Sequence, residues 1–425
     1  MTVRISLLLL LGTLLWIPSE AQVIDYARYV VNTLASDSLF GRGYVEDGDK
    51  KAAEFIEQEF RRFEVQPLNQ SYTQSFEIPV NTFPDSITVK IDHQALTAGK
   101  DFHVLPGSPS ISGTYEILFI PRDKIFDLNL LRSKIDQSDG KVIVLDDYPD
   151  SLMDNTQRNL WVQIQQLLTK HPSIKAAATI LLTNEKLTWY GSQIEDANPS
   201  LRMLKDVFNP SAKTIELNIK NEFINAYPTQ NVYGFIEGDI DSTILFMAHY
   251  DHFGMMGQAI FPGANDNASG VAMLLSLAQY YSENKPPYNM VFVAFGAEEL
   301  GLIGAKHFAD NPPFELSKTK FMLNFDISGT GDEGIRVVNG SVYRNQFDQM
   351  VALNEEHDLL PQVRIRGSAC NSDHCIFDRM GIPGFYIYTL GGIPAYHDVY
   401  DRPETLPLTE FEDYFKLLRL FVDEL

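Results

Sequence analysis

The sequence predicts an α/β protein with a mostly parallel sheet sandwiched by helices and a β-rich inserted domain. Apolar strand-like segments alternate with helical segments from residue 231 onward. Residues 76–224 have a different pattern of apolar and polar residues, with several short alternating segments and no cluster of ligand-type side chains. Strands that alternate with helices are typical of a parallel sheet covered on both faces. The middle block is therefore predicted to be an insertion into that fold.

The chain begins with a segment typical of a signal peptide over residues 1–21. Arg4 is followed by an apolar run over residues 5–17, and small residues at Ser19 and Ala21 predict cleavage before Gln22. A membrane-spanning helix needs roughly 20 apolar residues, so this run is too short for an anchor. No cysteine lies near the cleavage point, which argues against a lipid anchor. We therefore expect a soluble protein without a membrane anchor, exported to the periplasm or secreted.

Composition limits the domain count and the partners. With 425 residues, 44% hydrophobic and 21% charged, the chain fits two domains or one large domain with an insertion. Its formal net charge of −22 argues against nucleic acid and anionic membranes as partners. The two cysteines, Cys370 and Cys375, could form a disulfide or remain free thiols, and the sequence leaves both open.

Residues 22–75 are predicted to form an N-terminal helical part of the catalytic domain. Ala53, Ile56 and Phe60 share one face at helical spacing. In the inserted domain, short apolar or alternating segments predict strands, and one longer segment predicts a helix. The predicted strands are 87–91, 115–120, 139–145 and 176–182, and the predicted helix is 160–168.

Residues 225–425 are predicted to complete the catalytic domain. Near-continuous apolar segments predict buried strands at 232–236, 243–247, 289–295, 320–325 and 383–388. Helical spacing predicts helices at 268–283, 300–309 and 410–423.

Ligand-type side chains follow the predicted strand ends. In open α/β sheets, sites form beyond the carboxyl ends of the strands, so these residues are expected to converge. The candidates are His249, Asp251, Glu298, Glu299, Asp326, Tyr396 and His397, together with Asp266 in a turn that leads into a helix.

The candidate side chains suit zinc, because they offer imidazole and carboxylate ligands without thiolate. Two imidazoles and three carboxylates are too many for one catalytic ion, but they fit two ions that share a bridging carboxylate. Glu298 then remains as a general base, and Asp251 could hold the second nitrogen of His249.

Each candidate also has an ordinary structural alternative. Asp266 could cap the helix that follows, although Asn267 could do this instead. Glu298 and Glu299 could be first-turn carboxylates favoured by the helix dipole. Structural roles are expected for His252, His307 and His357. For His374 the sequence leaves two options open: support of the site, or a place in a helix capped by Ser372 or Asp373.

Six motifs in order resemble the co-catalytic dizinc aminopeptidases, a family that also includes glutamate carboxypeptidases and glutaminyl cyclases. They are Ala-His-Tyr-Asp at 248–251, Gly-Ala-Asn-Asp-Asn-Ala-Ser-Gly at 263–270, Phe-Gly-Ala-Glu-Glu-Leu-Gly-Leu at 295–302, Asn-Phe-Asp at 324–326, Ser-Asp-His at 372–374 and Tyr-His at 396–397. Phe-Gly-Arg-Gly at 40–43 is similar to family members too. The middle block resembles the protease-associated domain that many members insert.

The resemblance implies a phosphorylase/hydrolase-like zinc exopeptidase fold and a set of metal ligands. Asp266 would bridge two zinc ions. His249 and Asp326 would complete one ion, and Glu299 and His397 would complete the other. Cobalt or manganese could replace zinc, since the same ligands accept them.

Three further roles follow from the resemblance. Glu298 would act as general base and then general acid, Asp251 would orient His249, and Tyr396 would donate to the developing oxyanion. The function expected is an exported metallo-aminopeptidase acting on peptides with a free N-terminus.

Three alternatives stay open at this point. They are a single-zinc glutaminyl cyclase, a carboxypeptidase and a non-catalytic relative that binds peptides. A carboxypeptidase needs basic residues that bind the free carboxylate of its substrate. No basic cluster lies near the motifs, although Arg364 and Arg366 have no assigned role.

Overall fold

The computed structural model describes residues 20–425. Residues 1–19 of the predicted signal peptide lie outside the described residues. Within residues 20–425, no helix is long and apolar enough to cross a membrane. The α-helices are α1 (Glu20–Leu34), α2 (Gly48–Arg62), α3 (Leu128–Asp136), α4 (Asn155–Lys170), α5 (Ser269–Glu283), α6 (Ile303–Asp310), α7 (Arg344–His357), α8 (His374–Arg379) and α9 (Phe411–Asp423).

The strands form two large sheets and one hairpin. They are β1 (Thr73–Thr82), β2 (Thr88–Ile91), β3 (Gln94–Leu96), β4 (Phe102–Val104), β5 (Ile111–Ile120), β6 (Val142–Leu145), β7 (Ala178–Thr183), β8 (Ser200–Leu204), β9 (Thr214–Ile219), β10 (Glu222–Ile236), β11 (Ile240–His249), β12 (Gly254–Met256), β13 (Ala259–Phe261), β14 (Tyr288–Phe295), β15 (Thr319–Phe325), β16 (Ile335–Val338), β17 (Val363–Ile365) and β18 (Gly384–Thr389).

The main sheet has the strand order β1-β10-β14-β11-β15-β18-β16-β17. Its four central strands, β14, β11, β15 and β18, run parallel to one another. Next to them, β10 and β16 pair antiparallel with their central neighbours. The predicted sheet is therefore confirmed with a parallel centre, while its flanks make it a mixed sheet.

Helices cover both faces of the main sheet, as predicted. Alternate residues of β11 point to opposite faces, because side chains in a strand alternate. Ile244 and Phe246 pack with α1, α2, α5, α7 and α9, and Leu245 and Met247 pack with α6 and α8. The strands at the centre are thus buried on both sides, which explains their continuous apolar sequence.

The second sheet has the order β3-β2-β9-β5-β6-β7-β8-β4, with β5 to β8 parallel. An apolar core lies on each face of this sheet. The core to which α3 and α4 contribute is formed within this part of the chain, whereas the other also includes Met256 and Phe261 of the β12–β13 hairpin and Val399. The division of the chain at residues 76 and 224 remains a prediction. The second sheet uses strands between residues 88 and 219, whereas β1 (Thr73–Thr82) pairs with β10 in the main sheet.

Candidate metal centre

The predicted site residues follow the four parallel strands at the centre of the main sheet. β11 ends at His249, β14 ends three residues before Glu298, and β15 ends immediately before Asp326. His397 lies in the loop after β18. Since the carboxyl ends of parallel strands lie at one edge of the sheet, these side chains meet there.

Asp266 lies between two histidines. Its Oδ1 is 3.4 Å from Nε2 of His249, and its Oδ2 is 2.9 Å from Nε2 of His397. Nε2 of His249 also lies 3.5 Å from Oδ1 of Asp326. Nε2 of His397 also lies 3.9 Å from Oε2 of Glu299. The two oxygens of one carboxylate therefore face two separate sets of predicted ligands, which is what a bridging carboxylate requires.

The charge of Asp266 is set by these contacts. Burial by itself would raise the pKa of this carboxyl group, but hydrogen bonds from His249 and His397 hold the pKa well below its usual range. Asp266 is therefore an anion at neutral pH, as a metal ligand must be.

The loop before α5 holds Asp266, and the next residue, Asn267, holds the start of the helix. Oδ1 of Asn267 accepts hydrogen bonds from the backbone N–H of Gly270 (2.9 Å) and of Ile327 (3.1 Å). Asn267 thus caps the helix, as the sequence analysis considered. The carboxylate of Asp266 is left free to face the histidines.

Three groups of side chains bring one ligand atom each within 4.8 Å of one another, so that they could hold a metal ion. The first is His249, Asp266 and Asp326, and the others are His252, Asp266, Glu299 and His249, Glu298, Glu299. All the donors are nitrogen or oxygen, which suits zinc.

His252 contacts the site, although the sequence analysis gave it a structural role. It is fully buried, and its Nδ1 lies 2.7 Å from Oε1 of Glu299. Burial, together with the nearby positive charge of Arg42, lowers the pKa of this imidazole well below its usual value. A neutral His252 can donate from Nδ1 to one oxygen of Glu299, while the other oxygen faces His397.

Asp251 is fully buried behind the site, and its closest polar contacts differ from the predicted one. Its carboxylate accepts the backbone N–H of Glu298 at 3.0 Å and of Glu299 at 3.3 Å. Nδ1 of His249 lies 3.8 Å from that carboxylate and 3.2 Å from the backbone carbonyl oxygen of Asp251. Asp251 therefore connects the ends of β11 and β14.

Glu298 carries a carboxyl group whose pKa is raised well above its usual range. Burial is the main cause, and the carboxylates of Asp373 and Asp326 add to it, while His249 opposes it. A raised pKa lets a carboxyl group accept a proton and release it again near neutral pH.

Asp373 is a buried carboxyl group that the sequence analysis considered only as a helix cap. It makes no capping hydrogen bond to α8, and neither of its oxygens has a hydrogen-bond partner within the described residues. Burial and the carboxylates of Asp251 and Asp326 raise its pKa, although His249 opposes this. The Ser-Asp-His motif between two cysteines was the sequence signal for this residue.

Cys370 and Cys375 form a disulfide that encloses this motif. Within the loop, Nε2 of His374 lies 2.8 Å from the carbonyl oxygen of Ala369, and its ring stacks on Tyr386. Oγ of Ser372 accepts a hydrogen bond from Asn324. His374 and Ser372 therefore hold the loop against the main sheet.

Tyr396 stacks on the ring of its neighbour His397, with the ring centroids 3.7 Å apart. The residue as a whole is 45% exposed. Partial burial, with the carboxylates of Asp266 and Asp326 nearby, raises the pKa of this phenol. The hydroxyl is thus a proton donor at neutral pH.

The loop that carries His397 is held by the second sheet. The backbone N–H of Trp189 donates to the carbonyl oxygen of His397 at 2.8 Å. Lys186 donates to the carbonyl oxygens of Pro394 and Tyr396 and pairs with Asp398 at 2.6 Å. The segment after β7 therefore supports one wall of the site.

Comparison with known proteins agrees with this geometry. Residues 231–422, which contain all the predicted ligands, match the profile of peptidase family M28. This part of the chain, just under half of its 425 residues, is therefore similar to the members of that family. The curated relatives that match the chain include aminopeptidases and a probable zinc metalloprotease.

Curated relatives match different shares of the chain. A probable leucine aminopeptidase of Trichophyton verrucosum is 29% identical over 259 residues, which cover 56% of this chain and 68% of the relative. Aminopeptidase YwaD of Bacillus subtilis is 39% identical over 87 residues, which cover 20% of this chain and 18% of the relative. The chain thus spans from about a fifth to about two thirds of the length of these relatives.

Solved structures share the fold over nearly the whole described chain. A zinc aminopeptidase from Bacillus subtilis matches with a TM-score of 0.68 and 20% identity, covering 94% of each chain. A peptidase M28 precursor from Shewanella amazonensis matches with a TM-score of 0.65 and 17% identity, covering 95% of this chain and 96% of the other. The combination of the two sheets is therefore shared with these proteins.

Proposed function

We propose that the chain is an exported aminopeptidase that holds two zinc ions. Asp266 would be shared by the two ions, His249 and Asp326 would hold one of them, and Glu299 and His397 would hold the other. The observation that carries this proposal is the contact of the two oxygens of Asp266 with two different histidines, at 3.4 Å and 2.9 Å.

Zinc bound at this centre supplies Lewis acidity toward the scissile carbonyl group and the attacking water. Glu298 takes a proton from that water as the oxygen of the water adds to the carbonyl carbon. Glu298 then gives the proton to the leaving amine as the C–N bond breaks. Its raised pKa supports this double role.

Tyr396 donates a hydrogen bond to the carbonyl oxygen as negative charge develops on it. The stacking of its ring on His397 and the partial exposure of the residue support this assignment. Asp251 acts indirectly, because it holds the backbone of Glu298 and Glu299.

The substrate is a peptide with a free N-terminus. The centre is rich in carboxylates, and those not used by zinc attract an α-ammonium group. This charge preference favours exopeptidase over endopeptidase action, because an internal peptide bond has no ammonium group beside it.

Export to an oxidising compartment belongs to this proposal. It is supported by the signal-type sequence of residues 1–21 and by the Cys370–Cys375 disulfide, since disulfides persist mainly outside the reducing cytosol. Residues 76–224 are proposed to form an inserted protease-associated-like domain. The second sheet, together with the apolar core that it forms with α3 and α4, supports this.

The test measures metal content and substrate cleavage on one sample of purified protein. We expect two zinc ions per chain and release of N-terminal amino acids from a panel of aminoacyl substrates and short peptides. Chelation should remove the activity, and so should acetylation of the peptide amine.

Other outcomes would contradict the proposal. Cyclisation of N-terminal glutamine without peptide cleavage would identify a cyclase. One tightly bound zinc with full activity would contradict the two-ion assignment. Equal cleavage of acetylated and free peptides would contradict recognition of the α-ammonium group.

A further inference from the structure

A fully buried arginine lies outside the predicted ligand set. Among residues 20–425 it donates to backbone carbonyl oxygens alone, and most of these lie around the metal centre. Arg42 has no exposed surface, and its three guanidinium nitrogens all donate. The acceptors are the carbonyl oxygens of Tyr250 (2.7 Å), Leu34 (3.0 Å), Pro262 (2.6 Å), Gly263 (2.8 Å) and Asp266 (3.3 Å).

Four of these five acceptors belong to the two segments that carry His249 and Asp266, and the fifth, Leu34, ends α1. Tyr250 directly follows His249 at the end of β11. Pro262 and Gly263 begin the loop that ends at Asp266. One rigid guanidinium group thus fixes the strand end against the loop, which a planar group with several fixed donors can do and an ammonium group cannot.

A buried carboxylate holds the same loop by its N–H groups. Asp401 has no exposed surface, and its Oδ1 and Oδ2 accept the backbone N–H of Asn265 (2.9 and 3.1 Å). Its Oδ2 also accepts the N–H of Asp266 (3.0 Å), and its carbonyl oxygen accepts that of Ala264 (3.1 Å). Arg42 therefore binds the carbonyl oxygens of the loop and Asp401 binds its N–H groups.

The segment around Arg42 is shaped to deliver this side chain. Gly41 has φ 65° and packs against the backbone of the β12–β13 hairpin, where an added Cβ would collide with the carbonyl oxygens of Gly254 and Phe261. At Gly43, an added Cβ would approach the backbone of Gly254 just as closely. Glycine at both positions lets Arg42 reach the buried loop.

Charge also favours an arginine at this place. The carboxylates of Asp266, Asp401 and Asp251 surround Arg42, and they oppose the effect of burial, which lowers its pKa to about 10. Arg42 therefore stays positive at neutral pH and offsets part of the negative charge that the metal ligands bring into the core.

We propose that Arg42 and Asp401 are a pair of positioning residues that clamp the loop 262–266 from both sides and so set the place of Asp266 relative to His249. This inference rests on the proposed function, because it assigns Asp266 as the shared ligand. Through its ligand, the clamp determines how tightly zinc is bound.

The test compares zinc affinity and amide exchange in Arg42→Lys, Asp401→Asn and the double variant. Loss of a residue that orients a metal ligand costs about 10- to 100-fold in metal affinity or activity, and we expect each single variant to lose zinc affinity in this range. In zinc-free protein, backbone amides of the loop 262–266 should exchange faster with deuterium. The zinc affinity of the double variant should fall by less than the product of the two single-variant decreases, because Arg42 and Asp401 act on the same loop.

Two matched controls separate the clamp from a general effect of the substitutions. Arg28 also donates to three backbone carbonyl oxygens, those of Pro403, Leu406 and Pro407. Asp92 also accepts two backbone N–H groups. Arg28→Lys and Asp92→Asn should leave zinc affinity and exchange of the loop 262–266 unchanged.

Several results would overturn the clamp. They are zinc affinity within about twofold of wild type in either single variant, unchanged exchange of the loop, or single effects that multiply in the double variant. If Arg42→Lys does not fold, Asp401→Asn alone decides by the same two measurements. Failure of the wild type to release amino acids would instead contradict the proposed function, and zinc binding and exchange would still test the clamp.

Discussion

Two adjacent glutamates after β14 have different contacts, and this difference supports the different roles proposed for them. Burial and neighbouring carboxylates raise the pKa of both side chains. Glu299 lies 2.7 Å from Nδ1 of His252 and 3.9 Å from Nε2 of His397, whereas Glu298 shows no such contact with either histidine. A carboxylate held by histidines suits a metal ligand, and a carboxyl group with a raised pKa that is not so held can transfer protons.

Replacing Glu298 by glutamine should remove most turnover and keep the metal. The amide cannot accept a proton from water, so we expect kcat to fall by about 10²- to 10⁴-fold. Zinc content and KM should stay near wild type. Glu315→Gln, on the surface, is the matched control and should be fully active. A Glu298→Gln variant with more than a tenth of wild-type kcat would rule out this proton path.

Replacing His252 by glutamine should weaken zinc binding through Glu299. The loss of the Nδ1 contact frees one oxygen of Glu299, and we expect zinc affinity to fall by about 10- to 100-fold. His307→Gln is the matched control, because His307 stacks on Phe76 away from the predicted ligands. Zinc titration of both variants makes the comparison. Equal zinc affinity in His252→Gln and His307→Gln would show that His252 has a purely structural role.

Secondary-structure elements meet at buried polar contacts as well as at apolar ones. At the start of α2, the carboxyl group of Asp49 accepts the hydroxyl groups of Tyr227 (2.7 Å) and Thr229 (2.8 Å) on β10. Burial raises the pKa of Asp49 from 3.8 to about 6, although both hydrogen bonds oppose the rise. We therefore expect the contribution of Asp49 to the stability of the fold to depend on pH.

The sign of this dependence follows from the raised pKa. The folded state holds the proton of Asp49 more tightly, so its contribution is complete below pH 3.8 and is lost as pH rises through about 6. A shift of this size corresponds to about 3 kcal/mol at most. The variant Asp49→Asn lacks this dependence. The difference in the free energy of unfolding, wild type minus variant, should therefore become smaller as the pH rises from 4 to 7. Urea unfolding of zinc-free protein measures it, and a constant difference would contradict the prediction.

At the scale of the whole molecule, the second sheet helps to build the catalytic centre. Its segment after β7 reaches the loop of His397 through Lys186 and Trp189, and Gln193 of the same segment donates to the carbonyl oxygen of Leu300 at 2.6 Å. The segment thus touches loops that follow β14 and β18. The two sheets act as one unit at the site.

Lys186→Ala should loosen the loop that carries His397. The variant leaves Asp398, which is 4% exposed, without its cation and releases two carbonyl oxygens. We expect kcat/KM to fall by about 10-fold, within the range for residues that orient metal ligands. Lys141→Ala is the matched control, since Lys141 has similar exposure and an ion pair with Glu116 on the second sheet. Equal kcat/KM in the two variants would show that this contact does not support the site.

The sequence predicted most of the elements that hold the site. Apolar strands such as 289–295, and helices such as 410–423, appear in the structure within a few residues of the predicted bounds. Other elements were not predicted, among them the short strands β16 and β17 and the 14-residue helix α7. Their segments mix polar and apolar residues, so neither strand nor helix periodicity stands out.

The sequence by itself determined the fold class and the meeting point of the predicted ligands. Hydrophobic periodicity marks where each strand ends, and parallel strands bring their carboxyl ends to one edge. His249 and Asp326, 77 residues apart in the chain, could therefore be assigned to one site.

Only the tertiary structure decided which residues hold that site in place. Arg42 acts on carbonyl oxygens more than 200 positions away, and His252 meets Glu299 across 47 positions. Every residue of the chain has a carbonyl oxygen, so no residue pattern reveals which carbonyl a buried guanidinium will find. The reach of Lys186 to the loop of His397 likewise depends on how the two sheets pack. Such contacts exist only once the strands and loops are assembled.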